Sequence, residues 1–264
     1  MAHLHTQLIA FGMIQARASV FGAVLLFFII LTEFIYPSDF FLHRYDFLLL
    51  TAVLTQIFLV VTKMESIKEV KVILIFHFVA TGMELFKTLP SIGSWAYPGA
   101  EDALFSLGTV PLFAGFMYSA VGSFIARAWR LMALKFDPFP QPWVTLSLSF
   151  LIYLNFFIHH YIWDLRYILL TASLGLYWKT TITFTVGREQ HKMPFLLAAF
   201  LTAFFVWIAE NIATFSSIWL YPNQKFGWQL VSPDKMLAWY LLLLLSFGLV
   251  SLLYKERRKD LSNP

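Results

Sequence analysis

Two glutamates stand almost alone in apolar sequence: Glu84 in Ala80-Thr81-Gly82-Met83-Glu84-Leu85-Phe86, and Glu210 in Val206-Trp207-Ile208-Ala209-Glu210-Asn211-Ile212. An ionisable group in such surroundings is costly to keep. Where one is kept, its chemistry is proton donation, proton acceptance or the stabilisation of a nearby positive charge. Each glutamate is followed by the same short element, Trp95-Ala96-Tyr97-Pro98 after the first and Trp219-Leu220-Tyr221-Pro222 after the second. Aromatic faces beside carboxylates suit cationic intermediates, because a ring quadrupole attracts positive charge. His77, Thr81 and Thr88 lie seven, three and four residues from Glu84, which gives one helix face a polar stripe. Glu84, Glu210 and His77 are therefore the candidates for acid–base work, and Glu33, Asn211, Trp95, Tyr97, Trp219 and Tyr221 those for holding a substrate.

Plainer roles compete with these. Trp and Tyr anchor any membrane protein at the headgroup level, and Pro commonly follows a helix end. His43, Asp46, His159, His160 and Asp164 read best as helix caps or as partners of Arg44 and Arg166. The histidine pair with Asp164 offers metal-ligand atoms, but no His-x-x-x-His or Glu-x-x-His pair accompanies it, so no metal is expected. There is no cysteine, which removes thiolate ligands, cysteine nucleophiles and disulfides. No phosphate-cradling glycine loop and no Gly-x-Ser-x-Gly element occurs, which argues against a nucleotide-driven pump and a serine hydrolase; no cofactor is expected.

What must position these residues is set by composition: 59% hydrophobic, 19% aromatic and only 13% charged residues lie outside the range of soluble domains. The apolar residues fall into eight runs, about 18–36, 47–62, 71–88, 104–126, 143–159, 163–183, 194–218 and 234–254. Runs of this length match a helix crossing a hydrocarbon layer of about 30 Å. The expected fold class is all-α, a polytopic transmembrane helix bundle of about eight spans forming a single domain over 1–264. The first run ends at Glu33-Phe34-Ile35-Tyr36-Pro37 without a small-residue cleavage pattern, so it reads as a retained span.

Basic residues gather in alternate connections. Arg17, then Lys63, Lys68 and Lys71, then Arg127, Arg130 and Lys135, then Arg188 and Lys192, then Lys255, Arg257, Arg258 and Lys259 account for thirteen of the nineteen. The positive-inside rule then puts both termini in the cytoplasm, with the protein in the cell membrane. Topology thus explains the net charge of +4, and membrane lipids rather than nucleic acid are the expected partners.

The two halves of the chain, about 18–132 and 143–254, repeat one another. Arg44-Tyr45 through Thr51-Ala52 matches Arg166-Tyr167 through Thr171-Ala172, the two glutamate elements match, and Pro111 to Tyr118 matches Pro233 to Tyr240, at offsets of 120 to 126 residues. Four spans per repeat makes the halves parallel, related by a pseudo-twofold axis along the membrane normal, with Asp137-Pro138-Phe139-Pro140-Gln141-Pro142 as a stiff linker. At 1.5 Å per residue Glu84 stands about 20 Å above Lys71, and Glu210 and Glu33 about 24 Å above Pro194 and Arg17. All three glutamates then occupy the outer third of the bilayer, where Glu84 and Glu210 are expected to converge.

Ala209-Glu210-Asn211-Ile212-Ala213-Thr214, Trp219-Leu220-Tyr221-Pro222-Asn223-Gln224, Gly227-Trp228-Gln229-Leu230-Val231-Ser232 and Trp239-Tyr240 resemble the YoaT-like family of bacterial inner-membrane proteins. Gly82-Met83-Glu84-Leu85-Phe86-Lys87 and Val110-Pro111-Leu112-Phe113 look like that family too. The resemblance covers most of the chain and implies an inner-membrane address but no particular chemistry. More remotely, a glutamate ending a span, an aromatic-Pro loop and a next span opening with Val-Pro are similar in pattern to membrane-embedded carotenoid hydratases and cyclases, which protonate polyisoprenoids. Three functional classes follow: an enzyme acting on a lipid or isoprenoid substrate by carboxylate acid–base chemistry, a proton- or cation-coupled transporter, and a non-catalytic scaffold in which both glutamates are dispensable.

Overall fold

The computed structural model describes the backbone of residues 2–37 and 39–260 and the side chains of 5–37 and 39–251. The basic side chains of Lys255, Arg257, Arg258 and Lys259 lie outside the described residues. The chain is mostly helical, in the order α1 (Ala2–Ala18), α2 (Val20–Ile35), α3 (Arg44–Val61), α4 (Ile67–Lys87), α5 (Phe113–Leu131), α6 (Pro142–Ile158), α7 (Arg166–Tyr177), α8 (Phe195–Phe215) and α9 (Asp234–Asp260). The eight apolar runs overlap α2 to α9 in order, and α1 ends where the first run begins. Among the described residues three helices are long and apolar enough to cross a membrane: α3, α8 and the Asp234–Ser251 stretch of α9. A fourth joins them if α1 and α2, bent by 72° at their junction, make one span. The apolar α6 is shorter, and α7, at twelve residues, reaches only about 18 Å.

Two of the expected spans begin or end differently. The run 104–126 opens as a two-stranded hairpin, β1 (Ser106–Leu107) with β2 (Val110–Pro111), and the helix starts only after Pro111. Pro111 has no N–H to extend the ladder, which suits the end of an edge strand, and α5 begins two residues later. The run 163–183 reads as one helix, but α7 stops at Tyr177 and the chain turns into strand β4 (Thr181–Val186). Thr181-Ile182-Thr183-Phe184-Thr185-Val186 is rich in β-branched residues and alternates with period two, which favours a strand over a helix. Gly187 has φ +61° at the first central position of a two-residue turn, as a type II′ hairpin needs. The return strand β5 (Glu189–Pro194) and β3 (Lys135–Asp137) flank β4 in an antiparallel sheet of order β3-β4-β5. The helical expectation holds for most of the chain, and these strands are the exception to it.

The residues group into two compact units, one comprising Met1–Val20, Gly122–Phe204 and Leu237–Pro264, the other Phe21–Val121 and Phe205–Met236. The first is built on aromatic packing. Phe136 of β3 lies 4.7 Å from Trp129 and 5.0 Å from Phe247, while Phe195 lies 4.7 Å from both Phe247 and Tyr177. Such pairs add about 0.5–1.5 kcal/mol each beyond the area they bury. In the same unit α9 passes so close to α6 that a methyl group on Gly248 would stand 2.2 Å from Ser149 Oγ.

The second unit holds both isolated glutamates. Its connections are pinned by buried polar groups: the Asp46 carboxylate accepts from the backbone N–H groups of Leu104 and Phe105 at 2.8 and 2.9 Å, and Tyr45 donates its hydroxyl to Ile218 O at 2.7 Å. Asp46 therefore fixes the loop before β1, in keeping with a structural role.

Candidate functional site

The Glu84 site begins with how α4 ends. Thr88 caps the helix, its hydroxyl bonded to Glu84 O at 2.9 Å. Pro90 blocks continuation of the helix, and Gly93 at φ +56° turns the chain back, with Ser94 N bonded to Lys87 O. The reversal brings Trp95 and Tyr97 onto the glutamate one turn inside the helix. Trp95 Nε1 donates to Glu84 Oε2 at 2.7 Å, and Tyr97 Oη donates to the same oxygen at 2.9 Å. A third donor, Tyr118 Oη on α5, reaches Glu84 Oε1 at 2.6 Å. Glu84 is 1% exposed, so three hydrogen bonds replace water around its carboxylate.

The Glu210 site is assembled in the same way. The chain leaves α8 through Ser217 at φ +52°, and Tyr221 returns to donate to Glu210 Oε1 at 2.5 Å. Trp219 hydrogen-bonds the Tyr221 phenol in turn. Glu210 is 3% exposed. Tyr97 and Tyr221, at equivalent places in the two Trp-x-Tyr-Pro elements, thus play the same part, each holding the glutamate that precedes it. Burial first, and then the neighbouring carboxylate, push both phenols well above the usual tyrosine range, so both keep their protons and remain donors.

The two sites meet. Ala96 and Leu220, the central residues of the two elements, form an isolated antiparallel bridge, with Ala96 N to Leu220 O at 3.0 Å and Leu220 N to Ala96 O at 2.9 Å. The Trp95 ring stands edge-on to the Tyr221 ring at 6.2 Å, so the indole holding Glu84 touches the phenol holding Glu210. Both carboxylates act electrostatically on the Tyr118 and Tyr221 hydroxyls. Lys235 Nζ sits over the Tyr221 ring, 4.4 Å from its centroid.

The remaining candidates fall elsewhere. Glu33 is taken up by Arg44, in an ion pair of 2.8 Å whose guanidinium also reaches Thr32 Oγ1 and Ile29 O. Asn211 serves the backbone, donating to Trp207 O at 2.8 Å and accepting from Val231 N at 2.9 Å, which fixes the entry to α9. The polar stripe of α4 does not act as one group: Thr81 and Thr88 bond back to the carbonyls of His77 and Glu84. His77, two turns from Glu84, packs its ring 4.6 Å from Phe116, and its Nδ1 has no hydrogen-bond partner among the described residues. Lys87 is 3% exposed and acts on the Glu84 carboxylate from within.

Tyr118 is the residue that sequence reasoning leaves out of the site. Its only signal is its place seven residues after Pro111, matched by Tyr240 after Pro233. What brings it to Glu84 is the close approach of α5 to α4 at Gly115, where a methyl group would stand 2.4 Å from His77 Nδ1 and 2.6 Å from Thr81 Oγ1. Among the described residues no group of three or more His, Cys, Asp or Glu side chains is arranged to hold a metal ion.

The chain is 40% identical over 254 residues to a Bacillus subtilis (strain 168) protein described as "Uncharacterized protein YoaT", covering 96% of this chain and 94% of that one. No solved structure matches it. The family described as "Protein of unknown function (DUF817)" matches residues 7–247, and with that span and that relative the chain belongs to the DUF817 family.

Proposed function

We propose that the protein is a membrane-embedded enzyme that performs proton-transfer chemistry on a lipid- or isoprenoid-class substrate, with Glu84 and Glu210 as its working carboxylates. The observation that carries this reading is the pair of buried glutamates held by tyrosine and tryptophan donors and joined through the Ala96–Leu220 bridge. In the proposed step Glu210 gives its proton to a carbon–carbon double bond. The π electron pair forms the new C–H bond and leaves a carbocation on the more substituted carbon. The faces of Trp95, Tyr97, Tyr118 and Tyr221 and the negative charge of Glu84 stabilise that cation. Loss of a neighbouring proton, or addition of water followed by loss of a proton, completes the reaction and returns the proton to the site.

The reading includes eight spans, both termini in the cytoplasm and a parallel four-plus-four repeat within one transmembrane domain. Alternating basic connections support the topology. Outward apolar stripes support membrane contact for helices that are short or charged at one end: Leu74, Ile75, Phe78 and Leu85 on α4, Phe150, Leu151 and Leu154 on α6, and Tyr167, Ile168 and Leu174 on α7 are all exposed. The like-with-like pairing of the two Trp-x-Tyr elements is what a local twofold would produce, and it supports the repeat.

That same pairing favours a second reading, a proton-coupled transporter with the carboxylates at the interface of its repeats. Lipid extracts of cells overproducing the protein, compared with cells making equal amounts of the Glu84→Gln form, separate the two. The enzyme reading requires a lipid or isoprenoid species whose amount changes with the wild-type protein and not with the variant. An unchanged lipid profile in both overturns it.

A further inference from the structure

The connections that carry the site residues are built inside out for a surface in water. Phe41 between α2 and α3, Leu104 between α4 and α5, and Phe226 between α8 and α9 are 89%, 76% and 102% exposed. Phe40, Leu89, Phe105, Leu107, Trp228 and Leu230 on the same three connections are exposed as well. Charged side chains are few there, only Asp39, Glu101, Asp102 and Lys225. Several polar groups of these loops are turned to one another, although Ser91, Thr109, Asn223 and Ser232 are exposed. Tyr36 Oη donates to Leu42 O at 2.7 Å, Asp46 takes the N–H groups of Leu104 and Phe105, Gln224 Nε2 donates to Gln229 O at 2.6 Å, and Trp228 Nε1 donates to Thr214 Oγ1 at 3.2 Å. Ordinary connections do the opposite, solvating their polar groups and hiding their apolar ones. A cluster of exposed large apolar side chains marks a contact surface.

We infer that this loop end is a lipid-contacting surface, seated in the headgroup–acyl boundary of the leaflet at that end. The occupant follows from continuity with the helices. Phe40 and Phe41 directly precede α3, while Phe226, Trp228 and Leu230 lie between the end of α8 and the start of α9, and all three helices are long and apolar enough to span. The loops therefore begin and end where hydrocarbon gives way to headgroups, the level at which aromatic side chains partition. The inference rests on the membrane-spanning reading and deepens the proposed function. Trp95, Tyr97 and Tyr221 sit on these same connections, so the substrate class is a molecule dissolved in the leaflet, reaching the glutamates from lipid without crossing water.

The absence of cysteine makes the test direct. Single Phe41→Cys, Leu104→Cys and Phe226→Cys variants, with Leu54→Cys on the exposed face of α3 as the reference, carry a polarity-sensitive fluorophore in phosphatidylethanolamine–phosphatidylglycerol vesicles. The inference requires loss of loop-label fluorescence with lipid spin-labelled near the headgroup, greater than with lipid spin-labelled at the chain end, and the reverse order at position 54. Water-like emission from the loop labels with position 54 quenched overturns the inference and leaves the membrane reading standing. Failure of quenching at all four positions overturns both. Loop labels shielded in native membranes but water-like in the vesicles point to a protein partner and also overturn it.

Discussion

Replacing Tyr118 with phenylalanine keeps the ring and removes only the hydroxyl that donates to Glu84 at 2.6 Å. A hydrogen bond to a charged group contributes about 1.5–3 kcal/mol. Glu84 retains Trp95 and Tyr97 as donors, so the loss should stay within that range. For a chain of this size each kcal/mol moves the melting point by about 2–4 °C, so the Tyr118→Phe variant should melt about 3–12 °C lower. Thermal unfolding in detergent, followed by tryptophan fluorescence, reads the shift. The same substitution in a Glu84→Gln background supplies the control: a neutral amide accepts more weakly, so the second loss should fall to about 1 kcal/mol or less. An unchanged melting point on the wild-type background, or an equal loss on both, would refute the argument that Tyr118 acts through Glu84.

Asp46→Ala removes the acceptor of the Leu104 and Phe105 N–H groups, hydrogen bonds to a charged group that contribute about 1.5–3 kcal/mol each at most, and should expose the loop before β1 to limited proteolysis, with Asp46→Asn cut less; equal cleavage of all three proteins would count against the pinning role. Gly115→Ala puts a methyl group 2.4 Å from His77 Nδ1 and should cost about 1–3 kcal/mol by overpacking. Adding His77→Ala should recover only the part of the loss owed to the imidazole, because Thr81 Oγ1 still stands 2.6 Å from the new methyl group; a neutral Gly115→Ala in the same melting assay would contradict the close approach of α4 and α5. Reporter fusions after Lys135 and at the C-terminus should report cytoplasm, and one at Gly99 the outside; a cytoplasmic signal at Gly99 sinks the proposed topology.

The parts legible in the sequence were those that local chemistry dictates. Apolar runs marked where helices occur, and the isolated Glu84 and Glu210 marked the candidate site, because hydrocarbon-like surroundings make a carboxylate conspicuous. Boundaries were lost where a second period competes. Thr181 to Val186 continues an apolar run yet alternates as a strand, and from Leu104 to Pro111 backbone groups are taken up by Asp46 and by the β1–β2 hairpin in place of a helix. The Trp-x-Tyr-Pro elements suggested interface anchoring, whereas Tyr97 and Tyr221 point inward to their glutamates; composition cannot distinguish these, since either setting wants an aromatic ring with one polar tip. Tyr118 was hidden for a different reason. Its role depends on a tertiary approach made possible by Gly115, and no local pattern records which glycine lies at a helix crossing.

The central claim is that Glu84 and Glu210 form one proton-handling unit, and the most direct measurement is the change in membrane lipids produced by Glu84→Gln, Glu210→Gln and the double variant at matched protein levels. Residues that act as a unit are strongly non-additive. The account predicts that each single variant abolishes the wild-type change and that the double variant is no worse than either. Full retention of the change in either single variant, or independent, multiplying losses, would contradict it.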